Sequence, residues 1–227
     1  VVLRVGADFD LWLDPLLAQA GNPQLERGGA GYVDCSFGIA LLDVRGEQVA
    51  ASGGHAHGSG NPHYWLDPEN ASLMTAGIVD ALARTDPEGA RQFAAARERF
   101  LARLAERIPV WQRALAAARD RPLIAYHGGW SYFARRFRLH FAATIEPRPG
   151  VPPSAAHLAA LIATARSQQA AAIVREPHES PKIARFVGER TGVPVVVLAG
   201  SVGAVPEASD YLSLFDYDAA ALAAALR

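Results

Sequence analysis

Apolar positions change their period twice along this chain, and the changes divide it. Residues 1–5 form a short apolar run interrupted by Arg4, the pattern of a complete buried strand. Leu11, Leu13, Leu16 and Leu17 then predict a short helix, and residues 37–44 a second apolar strand. Residues 47–60 are a polar, Gly-rich connection. Asp67-Pro68-Glu69 reads as N-cap, first helical residue and acidic first turn, opening a helix to about residue 84 with Leu73, Ile78 and Leu82 on one side. Asp86-Pro87-Glu88 repeats that start. Beyond it Phe93, Phe100, Leu104, Ile108, Trp111 and Leu115 recur at helical spacing on one face, so a single helix is predicted over 87–119. At ~1.5 Å per residue it would span on the order of 50 Å, with Pro109 expected to kink it. Such a helix is either the core helix of one large domain or a strut between two lobes.

From residue 120 the pattern alternates. Short continuous apolar runs at 123–126, 140–145, 171–175 and 195–198 read as strands. Helices are predicted over 130–137, from Ser154, over 181–190 and over 218–226. Buried strands alternating with helices predict a parallel sheet covered on both faces. The fold class expected is α/β, two lobes around a strut.

Composition narrows the function classes. The chain has 227 residues, half of them hydrophobic and a fifth charged, with a formal net charge of -1. That balance offers no electrostatic case for nucleic acid as a partner. No apolar run reaches the ~18 residues of a membrane span. One cysteine, Cys35, excludes an internal disulfide and any multi-cysteine metal cluster. The chain starts directly on an apolar run without methionine or leader, and we expect residues to be missing in front.

The chemistry-bearing residues collect at strand ends. Ligands in open α/β sheets bind beyond the carboxyl ends of strands. His127 follows the strand at 123–126 and precedes Gly128-Gly129; Glu176 and His178 follow the strand at 171–175. His63 sits in Asn61-Pro62-His63-Tyr64-Trp65-Leu66-Asp67-Pro68, where two prolines stiffen the backbone around it. A rigidly mounted histidine loses little entropy on binding. Imidazoles with a carboxylate suit zinc and, less specifically, other first-row divalent ions. Each residue also has a structural reading: His127 as a hydrogen-bond donor at a strand end, Glu176 paired with Arg175 or capping the helix at Pro181. His140 and His157 read as structural, and Asp8, Asp10 and Asp14 as a cap and a solvated helix face. No Walker motif, no Gly-x-Ser-x-Gly elbow and no His-Glu-x-x-His helix occurs.

These pieces resemble the ZnuA/TroA-like solute-binding proteins, the periplasmic metal-binding components of zinc and manganese ABC importers. The resemblance runs from Val1 to the end. It rests on Val5-Gly6-Ala7-Asp8-Phe9, on Pro62-His63-Tyr64-Trp65-Leu66-Asp67-Pro68, and on Tyr126-His127-Gly128-Gly129-Trp130-Ser131-Tyr132-Phe133. Ile145-Glu146-Pro147, Glu176-Pro177-His178, Thr191-Gly192-Val193-Pro194 and Asp210-Tyr211-Leu212 follow in the same order. It implies two Rossmann-like lobes with parallel sheets, residues 1–86 and 120–227, joined by a long linker helix over 87–119, with one metal ion in the interlobe cleft. The family's second ligand falls on His63 and its third on His127, and water, Glu176 or His178 is left to complete the site. The first, a histidine, is expected roughly 20 residues before Val1. The manganese-type aspartate near Ala199-Gly200 is absent, so Zn²⁺ is expected ahead of Mn²⁺. His55 and His57 occupy the place of a longer His-rich insert in many relatives. The resemblance implies a monomeric carrier, periplasmic or tethered outside the cell, that hands zinc to an ABC permease and catalyses nothing. The alternatives are a zinc hydrolase in the same cleft, with Glu176 as base, and an adhesin with a vestigial metal site.

Overall fold

Every strand pairing between the named strands is parallel, in two separate sheets. The computed structural model describes residues 1–44 and 60–227. The described residues up to Glu106 cluster as one unit and Arg107–Arg227 as a second. Where the sequence sets 87–119 apart as an element of its own, the units part inside a helix, between Glu106 and Arg107.

In the first unit β1 (Val2–Arg4) pairs with β2 (Tyr32–Asp34), Leu3 opposite Val33. The run at 1–5 forms its strand but not as a buried one. Val1 and Leu3 are about half exposed, and the inward residue is Arg4. A buried guanidinium must be paired, and Arg4 is: Nη2 donates to the Asp10 backbone oxygen (3.0 Å), Nη1 to Asp14 Oδ1 (2.5 Å) and to the Tyr32 hydroxyl (3.1 Å). Asp10 also accepts from the Val5 amide at 2.8 Å. Asp10 is therefore a buried anchor of the β1 loop rather than part of a solvated face.

Helix α1 (Leu13–Ala20) matches its prediction and buries none of its residues. The strand expected over 37–44 does not form, and the pairing falls at Tyr32–Asp34 instead. Asp34 Oδ1 accepts from the Ser36 amide at 2.9 Å, an Asx-type turn, and Gly38 takes a φ of 79°. That turn stops the chain from continuing the ladder and leaves Phe37 exposed.

The helix expected over 68–84 is a short 3₁₀ turn, Pro68–Asn70, running into α2 (Ala71–Thr85). Its buried positions are Ala71 and Ala81, while Leu73 faces out. Helix α3 (Ala90–Ala114) is the predicted long helix and is continuous through Pro109. The predicted face holds, since Leu104, Trp111 and Leu115 are buried.

The second unit carries a four-stranded sheet in the order β4-β3-β5-β6: β3 (Pro122–Ala125), β4 (His140–Thr144), β5 (Ala172–Arg175) and β6 (Val195–Val197). Helices α4 (Ser131–Phe137), α5 (Ala155–Ser167), α6 (Pro181–Thr191) and α7 (Tyr211–Ala225) follow the strands in turn. Ile124, Ile145, Ile173, Leu161 and Val187 form one core cluster. Strand β3 has β4 on one side and β5 on the other, so the chain steps out from β3 to β4 and then crosses back over β3 to β5. The carboxyl ends of β3 and β5 thus flank a topological switch point, where ligands of such sheets bind.

Helix α7 starts at Tyr211, well before the predicted 218. Its start is a capping box: Asp210 Oδ1 accepts from the Ser213 amide at 2.7 Å, and Ser213 Oγ accepts from the Asp210 amide at 2.8 Å. Asp218 is then mid-helix and fully buried. Trp111 stacks on Phe215 at 4.9 Å and donates from Nε1 to Asp216 Oδ1 at 2.6 Å.

Candidate metal site

His63 is held from three directions. Its carbonyl accepts from the Leu66 amide at 3.1 Å, opening the turn Tyr64–Leu66. Tyr64 is buried, donates its hydroxyl to the Val5 carbonyl, and receives Asn70 Nδ2 on its own carbonyl at 2.8 Å. Phe9 and Trp65 flank the His63 ring at 6.3 and 5.2 Å between centroids. Asn61, 1 % exposed, accepts through Oδ1 from the His63 amide (3.0 Å) and meets His63 Nδ1 at 2.8 Å. Its Nδ2 donates to Asp43 Oδ2 at 2.9 Å.

His127 stands just beyond β3. The ladder continues past the strand ends, with the Tyr126 amide bonded to the Val174 carbonyl at 2.7 Å and the Glu146 amide to the Tyr126 carbonyl at 2.8 Å. Glu146 is thereby brought beside His127, its Oε2 lying 2.7 Å from His127 Nδ1. Glu146 Oε1 accepts from the Gly150 amide, also at 2.7 Å. Metal-ligating histidines commonly engage their second ring nitrogen in this way with a carboxylate or carbonyl. In both residues Nδ1 is the engaged nitrogen, and a neutral ring that donates from Nδ1 carries its lone pair on Nε2.

Glu176 follows β5, the strand next to β3. Its amide donates to Glu179 Oε2 at 2.5 Å, and Arg175 Nη1 donates to the Glu176 and Glu179 carbonyls at 2.8 and 3.2 Å. Arg175 therefore holds the loop backbone, and Ser180 rather than Glu176 is the N-cap residue of α6. The Glu176 carboxyl lies against Gly200, where an added Cβ would fall 2.3 Å from Oε2. Burial, and secondarily the charge of Asp218, raises its pKa to about 7. Burial raises Glu179 to about 8 and Asp218 to about 7, the latter against opposing hydrogen bonds from the Ala199 and Gly200 amides. His178 is 74 % exposed in its side chain, with Nδ1 3.8 Å from Glu176 Oε2.

The predicted residues are thus distributed as follows: His63 in the first unit, His127, Glu176 and His178 in the second. Among the described residues no group of three or more His, Cys, Asp or Glu side chains is arranged to hold a metal. His55 and His57 lie outside the described residues. His157 is structural as expected, Nε2 lying 3.0 Å from the Thr144 carbonyl. Asn61 and Glu146, which meet the Nδ1 atoms of these histidines, are the residues that spacing did not single out. The signal for Asn61 was an Asx residue two before a histidine; Glu146 carried one only through the pairing of β4 with β3.

The family model of the zinc-uptake complex component A, periplasmic (ZnuA), matches residues 1–225. The chain belongs to this family. The ZnuA family is one of periplasmic solute-binding proteins and not of enzymes. The high-affinity zinc uptake system protein ZnuA of Brucella abortus is 32% identical over 139 residues, which are 58% of this chain and 40% of that protein. Zinc-binding protein AdcA of Streptococcus pyogenes is 27% identical over 146 residues, 64% of this chain and 28% of its own. The matched stretch therefore spans less than half the length of these curated relatives. A crystal structure of ZnuA superposes with a TM-score of 0.77 at 26% identity, covering 99% of this chain and 78% of that one. The α/β class with parallel sheets agrees with that match. No described helix is long and apolar enough to cross a membrane.

Proposed function

We propose that this chain is the metal-capturing component of a zinc importer, binding Zn²⁺ outside the cytoplasm and delivering it as a monomer to an ABC-type permease. Support comes from its family, whose relatives are named for zinc uptake and zinc binding. The observation that carries it is the matched pair of mounts, Asn61 on His63 and Glu146 on His127, each engaging Nδ1. His63 and His127 are the ligands. Glu176 is a better further ligand than His178, because its carboxyl is largely enclosed while His178 projects into solvent. Zinc would displace the proton that burial favours on Glu176. Imidazole donors, with Ala199 and Gly200 offering no side-chain ligand, favour zinc over manganese.

Metal analysis after reconstitution tests the proposal. About one equivalent of zinc is expected, lost on His63→Ala and on His127→Ala. Unchanged zinc content in both variants would overturn it. One observation favours a second reading: a carboxyl group with a pKa near 7 also suits a general base. Under that reading zinc-dependent hydrolysis would disappear in Glu176→Gln with the metal retained; under the carrier reading there is no hydrolysis to lose.

A further inference from the structure

We propose that Asn61 is the positioning residue that sets the tautomer of His63, and that Asp43 sets Asn61. As a refinement of the metal site, this rests on the zinc-carrier reading given above.

A side-chain amide has a donor end and an acceptor end, and its neighbours decide which faces where. The Asp43 carboxylate accepts, so the amide end of Asn61 must point to it, as the 2.9 Å contact from Nδ2 to Oδ2 shows. The carbonyl end is then committed to His63. An amide oxygen only accepts, so the ring nitrogen 2.8 Å away, Nδ1, must carry a proton. In the neutral ring that leaves the lone pair on Nε2, the form a metal ion needs. The same oxygen accepts from the His63 amide at 3.0 Å, which ties the ring to its own backbone.

The backbone is shaped to deliver this pair. Asp43 adopts a φ of 54°, a left-handed conformation that aspartate tolerates better than most residues. Gly60 adopts a φ of 137°, and a Cβ there would meet the Leu41 Cβ at 2.8 Å. Segment 41–43 can therefore lie directly against 60–61, joined by the Asn61 amide to the Leu42 carbonyl at 2.7 Å. A stiff loop around Pro62 alone requires none of this. The Asp43–Asn61–His63 chain orders both the ring's direction and its proton.

Two measurements on one set of variants test the proposal: ¹⁵N chemical shifts of the His63 ring nitrogens in metal-free protein, and zinc affinity by chelator competition. The wild-type protein should show His63 protonated at Nδ1. Asn61→Leu, similar in size but without an acceptor, should release the tautomer and weaken zinc binding about 10–100-fold. Exchanging the two residues, Asp43→Asn with Asn61→Asp, keeps an acceptor at His63 and a donor at position 43, and should restore both readouts. It also keeps the test open if Asn61→Leu fails to fold. A proton on Nε2 in the wild type would overturn the proposal, as would equal loss of zinc in Asn61→Leu and the exchange variant with the tautomer unchanged. A locked Nδ1–H tautomer in a protein that takes up no zinc would support the Asn61 assignment and sink the carrier reading instead.

Discussion

His63 and His127 are mounted by different chemistry, an amide in one case and a carboxylate in the other. Glu146 has both oxygens in use, one at His127 Nδ1 and one at the Gly150 amide, each at 2.7 Å. A glutamine there has one acceptor for two donors and turns an NH₂ towards one of them. Glu146→Gln should therefore lower zinc affinity about 10–100-fold in a chelator competition, with the fold kept by circular dichroism; an unchanged affinity would remove Glu146 from the site. Single residues of the candidate site stand out in the sequence where chemistry and backbone signals coincide, as for His63 between its prolines and His127 before two glycines. The residues that hold them do not. Hydrogen-bond acceptors such as Glu146 act across strands, and its partner lies 19 positions away. Likewise Arg4 was hidden inside an apolar run, because its charge is matched by Asp10 and Asp14 from the loop that follows.

At the scale of elements, the second unit is legible in the sequence because short apolar strands, the central β3 and β5 buried almost throughout, leave a period that helices break. The first unit was read less well. Its run of apolar residues after Ser36 contains a glycine at positive φ and follows an Asx-type turn, so local turn chemistry overrode β propensity. The start of α7 was missed for a related reason: Asp210 and Ser213 are weak signals separately and strong only as a reciprocal pair. Removing that pair should be measurable. Asp210→Ala should destabilise the protein by about 1 kcal/mol in urea unfolding, and an effect near zero would show that packing on Trp111 and Tyr211 holds the first turn unaided. Gly200 makes a second element-level test. Its φ of 68° strains any L side chain, and an added Cβ would fall 2.3 Å from Glu176 Oε2, so alanine there must displace the Glu176 carboxyl. Gly200→Ala should destabilise by more than about 1 kcal/mol; any smaller change would mean the β6 loop is free to shift.

For the molecule as a whole, pH should act on stability and on the proposed zinc binding in opposite directions. Glu176, Glu179 and Asp218 have pKa values raised by burial to about 7, about 8 and about 7. A carboxyl group with a higher pKa folded than unfolded binds its proton more tightly in the native state. Between the ordinary carboxyl range near ~4 and these raised values, folding takes up protons, so stability falls as pH rises. Urea unfolding of the metal-free protein should therefore give a lower free energy at about pH 8 than at about pH 5. Asp218→Asn, which can still accept the Ala199 amide now held at 2.6 Å, should flatten that slope. Zinc behaves the other way, because coordinating imidazoles must be neutral and a coordinating carboxylate must give up its proton. A ligand that binds only the native state stabilises it by an amount that grows with affinity. The gap in melting temperature between zinc-loaded and metal-free protein should consequently widen from about pH 5.5 to about pH 8. A gap that stays constant with pH would mean that zinc is held without these histidines.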